Sequence, residues 1–98
     1  MTNSLKTLFS SSMPGLERLA RQAEAVESLT RWVRLQLPER MRPHVLSASR
    51  RDTDLVVIVD SAAWSARVRY AGPALREQLV AAGQPPVEKI RVRVRAPE

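Results

Sequence analysis

The sequence contains no cysteine and only one histidine, His44, among its 98 residues. Without cysteine the chain can form neither a disulfide nor a thiolate metal site, and one imidazole excludes a site built from two histidines of one chain. Three glycines are too few for the loops that cradle phosphates, and neither common phosphate-binding motif occurs. We therefore expect no enzyme activity, no metal, no cofactor and no small-molecule substrate.

Aromatic residues are also scarce, at 4 % of the chain, so the core must consist of leucine, valine, isoleucine and alanine. No apolar run approaches the length of a membrane span, and the first residues lack the apolar stretch of a signal peptide. We expect a soluble, cytoplasmic protein without a membrane partner. The length predicts one core, with a flexible arm over residues 1–13 and a single domain over residues 14–98.

Positive charge, in contrast, is plentiful. Lysine and arginine total 16 against 10 acidic residues, which gives a formal net charge of +6. Such an excess favours an anionic partner, either nucleic acid or an acidic protein surface.

The first predicted element is a long helix from Leu16 to Leu37. Its apolar positions recur every three or four residues and define one helical face: Leu16, Leu19, Ala23, Val26, Leu29, Thr30, Val33 and Leu37. Pro38 ends the helix because proline disfavours helical backbone in the residue before it.

Two strands and a second helix follow. The segments 44–49 and 55–59 predict a β-hairpin, because the Asp-rich connection RRDTD between them is typical of a tight turn. Asp60 or Ser61 caps the second helix, which Gly72–Pro73 should kink or divide into two abutting helices. The last segment alternates apolar and basic residues and predicts a strand. The order α-β-β-α-β indicates an α+β fold with a three-stranded sheet and two helices on one face.

The alternation in the last strand places four bases on the face away from the helices. We call them the basic row: Lys89, Arg91, Arg93 and Arg95. One interpretation is a nucleic-acid surface, which Arg50 and Arg51 at the hairpin would extend, and which would bind single strands weakly through phosphates. The other is protection of an exposed strand against aggregation. The row alone favours neither interpretation, but Arg50, Arg51 and the net charge favour binding.

Trp64 presents a similar choice. It begins the stripe Trp64, Val68, Ala71 and Leu75, and helical spacing favours burial in the core over an exposed partner contact. His44 is expected at a strand end without a catalytic role, and Asp52 and Asp54 are expected at the hairpin tip.

Three segments together resemble the DciA family, small bacterial proteins that load or operate the replicative helicase. They are the strand end VIVDSAAW, the helix SARVRYAGPALREQL and the last strand VEKIRVRVR, and the earlier helical stretch LTRWVRLQLP is similar as well. The likeness covers about residues 16–96, and Trp64 with Asp60, Ser61 and Ala63 matches the signature most closely.

The resemblance implies a K-homology-like fold, binding to the replicative DNA helicase and affinity for DNA. It also implies a partner surface on the second helix, at Trp64, Arg67, Arg69 and Tyr70. Nucleic-acid-binding K-homology domains clamp the backbone with a GXXG loop. The nearest stretch here, YAGPAL, lacks the second glycine, so specific RNA readout of that kind is not expected.

The leading hypothesis is a non-enzymatic adaptor that binds the replicative helicase and assists its loading or operation on single-stranded DNA. The alternatives are a sequence-tolerant single-stranded nucleic-acid-binding module without a helicase partner, and a subunit that only dimerises or scaffolds.

Overall fold

The computed structural model describes residues 14–95, so the arm expected over residues 1–13 lies outside the described residues. The elements are α1 (Pro14–Gln36), a 3-10 turn (Arg42–His44), β1 (Val45–Arg51), β2 (Asp54–Val59), α2 (Ala62–Tyr70), α3 (Gly72–Ala81) and β3 (Lys89–Val94). This α-β-β-α-α-β order confirms the α+β prediction. The predicted second helix is present as two abutting helices.

The three strands form a mixed sheet in the order β1-β2-β3. β2 is central, pairing antiparallel with β1 and parallel with β3. Side chains of both neighbouring strands flank the residues of this central strand, and even Val56 and Ile58, on its less covered face, are half-buried, which agrees with a run that lacks polar alternation. The parallel pairing follows from the two helices between β2 and β3, which carry the chain back to the start of the sheet.

The β1–β2 hairpin turns on Asp52 and Thr53, because Arg51 already pairs with Asp54. Asp52 has a φ of 54°, a left-handed conformation that aspartate tolerates better than most residues. The register shifts between Val45 and Ser47, which marks a bulge. This bulge explains how Val45 and Ala48 are both fully buried although they are three residues apart.

The core lies on one face of the sheet. Leu55, Val57 and Val59 of β2 are fully buried, whereas the alternating Val56 and Ile58 are only half-buried. The buried face packs against all three helices through Val33, Leu37, Val68, Leu75 and Leu79. We call the opposite side of the sheet the open face.

Helix α1 departs from its predicted packing over its first half. The stripe is buried only from Thr30 onward, while Leu16 and Leu19 are exposed, Leu19 by 60 %. Only the second half of the predicted apolar face of α1 therefore packs against the rest of the domain. Sequence spacing gives a helix an apolar face but does not say how far the rest of the domain extends beneath it.

The second half of α1 runs along the edge of β1 that no strand pairs with, and its side chains form hydrogen bonds with the backbone groups there. The Ala48 amide donates to Thr30 Oγ1 at 2.9 Å. Arg34 donates to the Val45 carbonyl through Nε at 2.9 Å and Nη2 at 2.6 Å. This edge of the sheet is therefore closed by side chains of the helix, which prevents another strand from pairing there.

Helices α2 and α3 are joined by a single residue, Ala71. The break falls here because Pro73 lacks the N–H that would continue the α2 hydrogen bonding. Gly72 is buried, and a Cβ at this position would lie 3.6 Å from Cβ of Ile90, so the start of α3 lies close against β3. Gly83, with a φ of 76°, closes the C-terminus of α3, and the following Gln84 amide donates to the Leu79 carbonyl at 3.0 Å.

Candidate interaction surfaces

The basic row lies where alternation predicts it, along β3 at the margin of the open face. Lys89, Arg91, Arg93 and Arg95 are all exposed, and Arg95 directly follows the strand. Opposite them, Val92 is buried and Ile90 half-buried. Val94 is 46 % exposed, although it lies on the same side of β3 as Ile90 and Val92.

Arg91 differs from its neighbours in the row because it already has an anionic partner. Its Nε lies 2.7 Å from Asp54 Oδ2, and the Asp54 side chain is only 12 % exposed. The ion pair joins β3 to β2 across the open face. Lys89, Arg93 and Arg95 have no such partner within residues 14–95, so they are the three bases most available to an external anion.

Arg50 and Arg51 differ in burial, although both border the same groove. They are consecutive residues of β1, so their side chains leave opposite faces of the sheet. Arg51 is exposed on the open face, across β2 from Lys89. Arg50 is half-buried, and its Nη2 is enclosed without a hydrogen-bond partner among the described residues. The groove that both arginines border is also lined by Leu29, Trp32 and Gln84.

Trp64 is half-buried and lies outside the hydrophobic core, contrary to the prediction from its helical spacing. Ser61 caps α2 and places Trp64 in its first turn, with the Trp64 amide 3.5 Å from Ser61 Oγ. The His44 ring stacks on the indole at 4.1 Å between centroids. The Arg67 guanidinium also lies over the indole, with its Cζ 4.7 Å from the ring centroid. These contacts leave the indole little free face for stacking on a base.

His44 is held in this stack by Asp60. Its Nδ1 lies 2.9 Å from Asp60 Oδ2 and 3.1 Å from Oδ1, and the Asp60 amide donates to the His44 carbonyl at 3.1 Å. The side chains of His44, Asp60 and Trp64 therefore form one surface unit, which holds the start of α2 against the start of β1.

The outer face of α2 continues from this unit. Arg67 and Arg69 are exposed, and Tyr70, at the end of the helix, is 92 % exposed. Ser65, directly after Trp64, is buried, and its Oγ has no hydrogen-bond partner among the described residues. The predicted partner residues extend along the whole of α2, from Trp64 in its first turn to Tyr70 at its last residue. Arg67 and Arg69 leave the helix on nearly opposite sides, because they are two residues apart.

The junction between α2 and α3 contains no loop that could clamp a phosphate backbone. Ala71 alone separates the helices, with φ −80° and ψ −6°, and the neighbouring Pro73 has no amide hydrogen to donate. This agrees with the absence of a second glycine in YAGPAL.

The part of the chain that the structure describes contains no cluster of three residues suited to hold a metal ion. Within the same residues, no helix is both long and apolar enough to cross a membrane.

Comparison with known proteins identifies the family to which the chain belongs. Residues 4–92 match the model of the family described as "Dna[CI] antecedent, DciA". The chain belongs to the DciA family. DciA proteins are helicase loaders and not enzymes, so the coarse role of this chain is that of a replication adaptor. A comparison with individually curated proteins gave no match.

The ion pair between Arg91 and Asp54 and the stack on Trp64 were not foreseen from the sequence. Asp54 had been assigned to the hairpin tip, and His44 lies 20 residues from Trp64 in the chain. Both contacts depend on which elements become neighbours in the fold. Residue spacing along the chain does not predict which elements these are.

Proposed function

We propose that this protein binds the replicative DNA helicase and assists its loading or operation on single-stranded DNA, without catalysing a reaction itself. The observation that carries the proposal is the family match over residues 4–92, which includes almost all of the described fold. Two surfaces of that fold have the properties that such an adaptor needs.

The helicase contact is assigned to the outer face of α2. Tyr70 is almost fully exposed, although a tyrosine ring is costly to leave in water, and two arginines lie beside it. Tyrosine and arginine are enriched among residues that dominate protein–protein binding energy. Arg67 is partly committed to Trp64, whereas Arg69 is exposed and Tyr70 is 92 % exposed.

Single-stranded DNA is assigned to the basic row. Alternate residues of a strand are about 6.6–6.8 Å apart, which is comparable to the spacing of phosphates along an extended single strand. β3 contains no aromatic residue on which a base could stack, and the indole of Trp64 carries His44 and Arg67. The expected binding is therefore weak, tolerant of sequence and dependent on phosphate contacts.

The helicase assignment is tested by co-purification of the full chain with the replicative helicase of the same organism. Replacing Arg69 with Glu and Tyr70 with Ala should reduce co-elution about tenfold or more, because these two side chains supply the proposed contact. The matched control is Arg18→Glu with Leu19→Ala, which makes the same kind of changes at exposed positions of α1. Both variants should retain the melting temperature of the parent chain.

Equal co-elution of both variants would move the contact away from α2. If the parent chain fails to bind the helicase yet shifts single-stranded DNA in a gel, the helicase assignment is wrong. The chain would then be a nucleic-acid-binding module without a helicase partner.

A further inference from the structure

The two edges of the sheet differ in whether their outward backbone groups are hydrogen-bonded. At β1 the free backbone groups are taken up by Thr30 and Arg34 of α1. β3 pairs with β2 only, and within residues 14–95 nothing is hydrogen-bonded to its other edge. An uncovered strand edge is a template to which another extended segment can add.

The orientation of the β3 backbone shows which groups are available. The Arg95 amide, directly after the strand, donates to the Val59 carbonyl at 2.8 Å, toward β2 and in the β2–β3 register. Because backbone groups alternate in direction along a strand, those of residues 89, 91, 93 and 95 face β2. The N–H and C=O groups of Ile90, Val92 and Val94 therefore point outward.

The side chains beside this edge differ between its two faces. On the open face lies the basic row, in which Lys89 and Arg93 have no acidic partner within the described residues. On the core face lie Ile90, which is half-buried, and Val94, which is 46 % exposed. An added strand would bring its own alternating side chains to about 4.5–5.5 Å from these residues.

We propose that the outer edge of β3 binds an extended segment of a partner protein whose residues alternate between acidic and apolar. The acidic side chains would pair with the basic row, and the apolar ones would cover Ile90 and Val94. A second copy of β3 does not fit, because edge-to-edge pairing of two identical strands sets arginine beside arginine. The proposal goes beyond the helicase assignment, since it names a binding chemistry that holds whichever protein supplies the segment.

A synthetic peptide of about eight alternating glutamate and valine residues, labelled with fluorescein, tests the proposal on the full chain. Fluorescence anisotropy should show saturable binding. Amide hydrogen exchange measured by NMR should slow about tenfold or more at Ile90, Val92 and Val94, because their N–H groups enter new hydrogen bonds. The same peptide with N-methyl groups at alternate residues should bind about tenfold more weakly, since it cannot donate the matching bonds.

A second experiment tests the contribution of charge to peptide binding separately from that of the backbone hydrogen bonds. Arg93→Glu should weaken the glutamate–valine peptide about tenfold and improve binding of the corresponding lysine–valine peptide. Arg18→Glu, which makes the same charge change at an exposed position of α1, should alter neither affinity by more than about twofold. A melting-temperature measurement establishes that both variants are folded.

Absence of peptide binding would overturn the proposal. So would binding that leaves the three amides unprotected, or that is unaffected by N-methylation, because the peptide would then be held by surface charge alone. Single-stranded DNA should compete for the basic row without protecting these amides. If DNA protects them equally, the edge is a nucleic-acid site and not a strand-addition site. None of these outcomes depends on whether the chain binds the helicase.

Discussion

Thr30 shows how much one hydroxyl can contribute in a small domain. It is buried, accepts the hydrogen bond of the Ala48 amide at 2.9 Å and itself donates to the Val26 carbonyl at 2.6 Å. A threonine inside a helix usually bonds only to the preceding turn. Here the same oxygen also accepts a hydrogen bond from the edge strand β1. Thr30 therefore makes a tertiary contact in addition to its local hydrogen bond within the helix.

Replacing Thr30 with valine keeps the shape of the side chain but leaves the Ala48 amide buried and unpaired. The free energy of unfolding should fall by about 1–3 kcal/mol, measured by urea denaturation. Thr30→Ser keeps the oxygen and should lose less. Ser28→Ala, at an exposed position of the same helix, should change stability by no more than about 0.5 kcal/mol. Equal losses for the valine and serine variants would mean that packing, not the hydrogen bond, sets the effect.

Trp64 provides a second test at the residue scale, because its surface stack predicts a smaller loss than burial would. Trp64→Ala removes the contacts to His44 and Arg67 and should cost about 1–2 kcal/mol. Leu75→Ala in the fully packed core should cost about 2–5 kcal/mol. Both losses are read from the same urea series. A loss at Trp64 that equals or exceeds the loss at Leu75 would show that the indole acts as a core residue.

At the scale of elements, α1 has two halves with different roles. Its second half supplies Val33 to the core and covers the edge of β1, and Leu37, directly after the helix, is also a core residue. Its first half carries the same apolar spacing into solvent, with Leu16 and Leu19 exposed. Helical periodicity is thus continuous along α1, whereas its burial is not.

The same substitution at the two ends of α1 should therefore give different results. Leu37→Ala, at a position 2 % exposed, should lower the free energy of unfolding by about 2–5 kcal/mol. Leu19→Ala should change it by no more than about 0.5 kcal/mol. Thermal or urea unfolding of the two variants measures the difference. A large loss at Leu19 would indicate that the first half of α1 packs against a surface in solution.

For the molecule as a whole, a net charge of +6 draws anions in general, but the fold determines which bases meet them. The ion pair with Asp54 holds one of the four bases in the row. The row therefore presents fewer unpaired bases to an external anion than its sequence suggests, because the Asp54 carboxylate holds Arg91.

Removing that carboxylate should strengthen DNA binding. With three bases engaged, the logarithm of affinity for single-stranded DNA should fall with the logarithm of salt at a slope of roughly −2, since each phosphate contributes about −0.7. Asp54→Asn frees Arg91 and should steepen the slope to roughly −3. Fluorescence anisotropy across a salt series measures both slopes.

Asp52→Asn is the matched control, because it changes charge equally on the same hairpin without touching Arg91. Asparagine also tolerates the left-handed conformation at this position. If both asparagine variants steepen the slope equally, general charge and not release of Arg91 is responsible.

By itself, the sequence determined the helices, the strands, the hairpin and the alternation of the basic row. These features depend on spacing within a single segment: periods of two or about three and a half residues, and Pro38, Pro73 and Gly83 as breakers. The family resemblance also lies in contiguous stretches and was confirmed by the match over residues 4–92.

The tertiary structure alone decided which surfaces remain open. The pairing of Arg91 with Asp54 required β3 to lie parallel beside β2, and the stack on Trp64 required the start of α2 to meet the end of the 3-10 turn. Arg50 turned inward because a strand sends consecutive residues to opposite faces, and only the helices define which face is covered. Such contacts join residues distant in the chain, and their geometry depends on packing between elements, which no local pattern encodes.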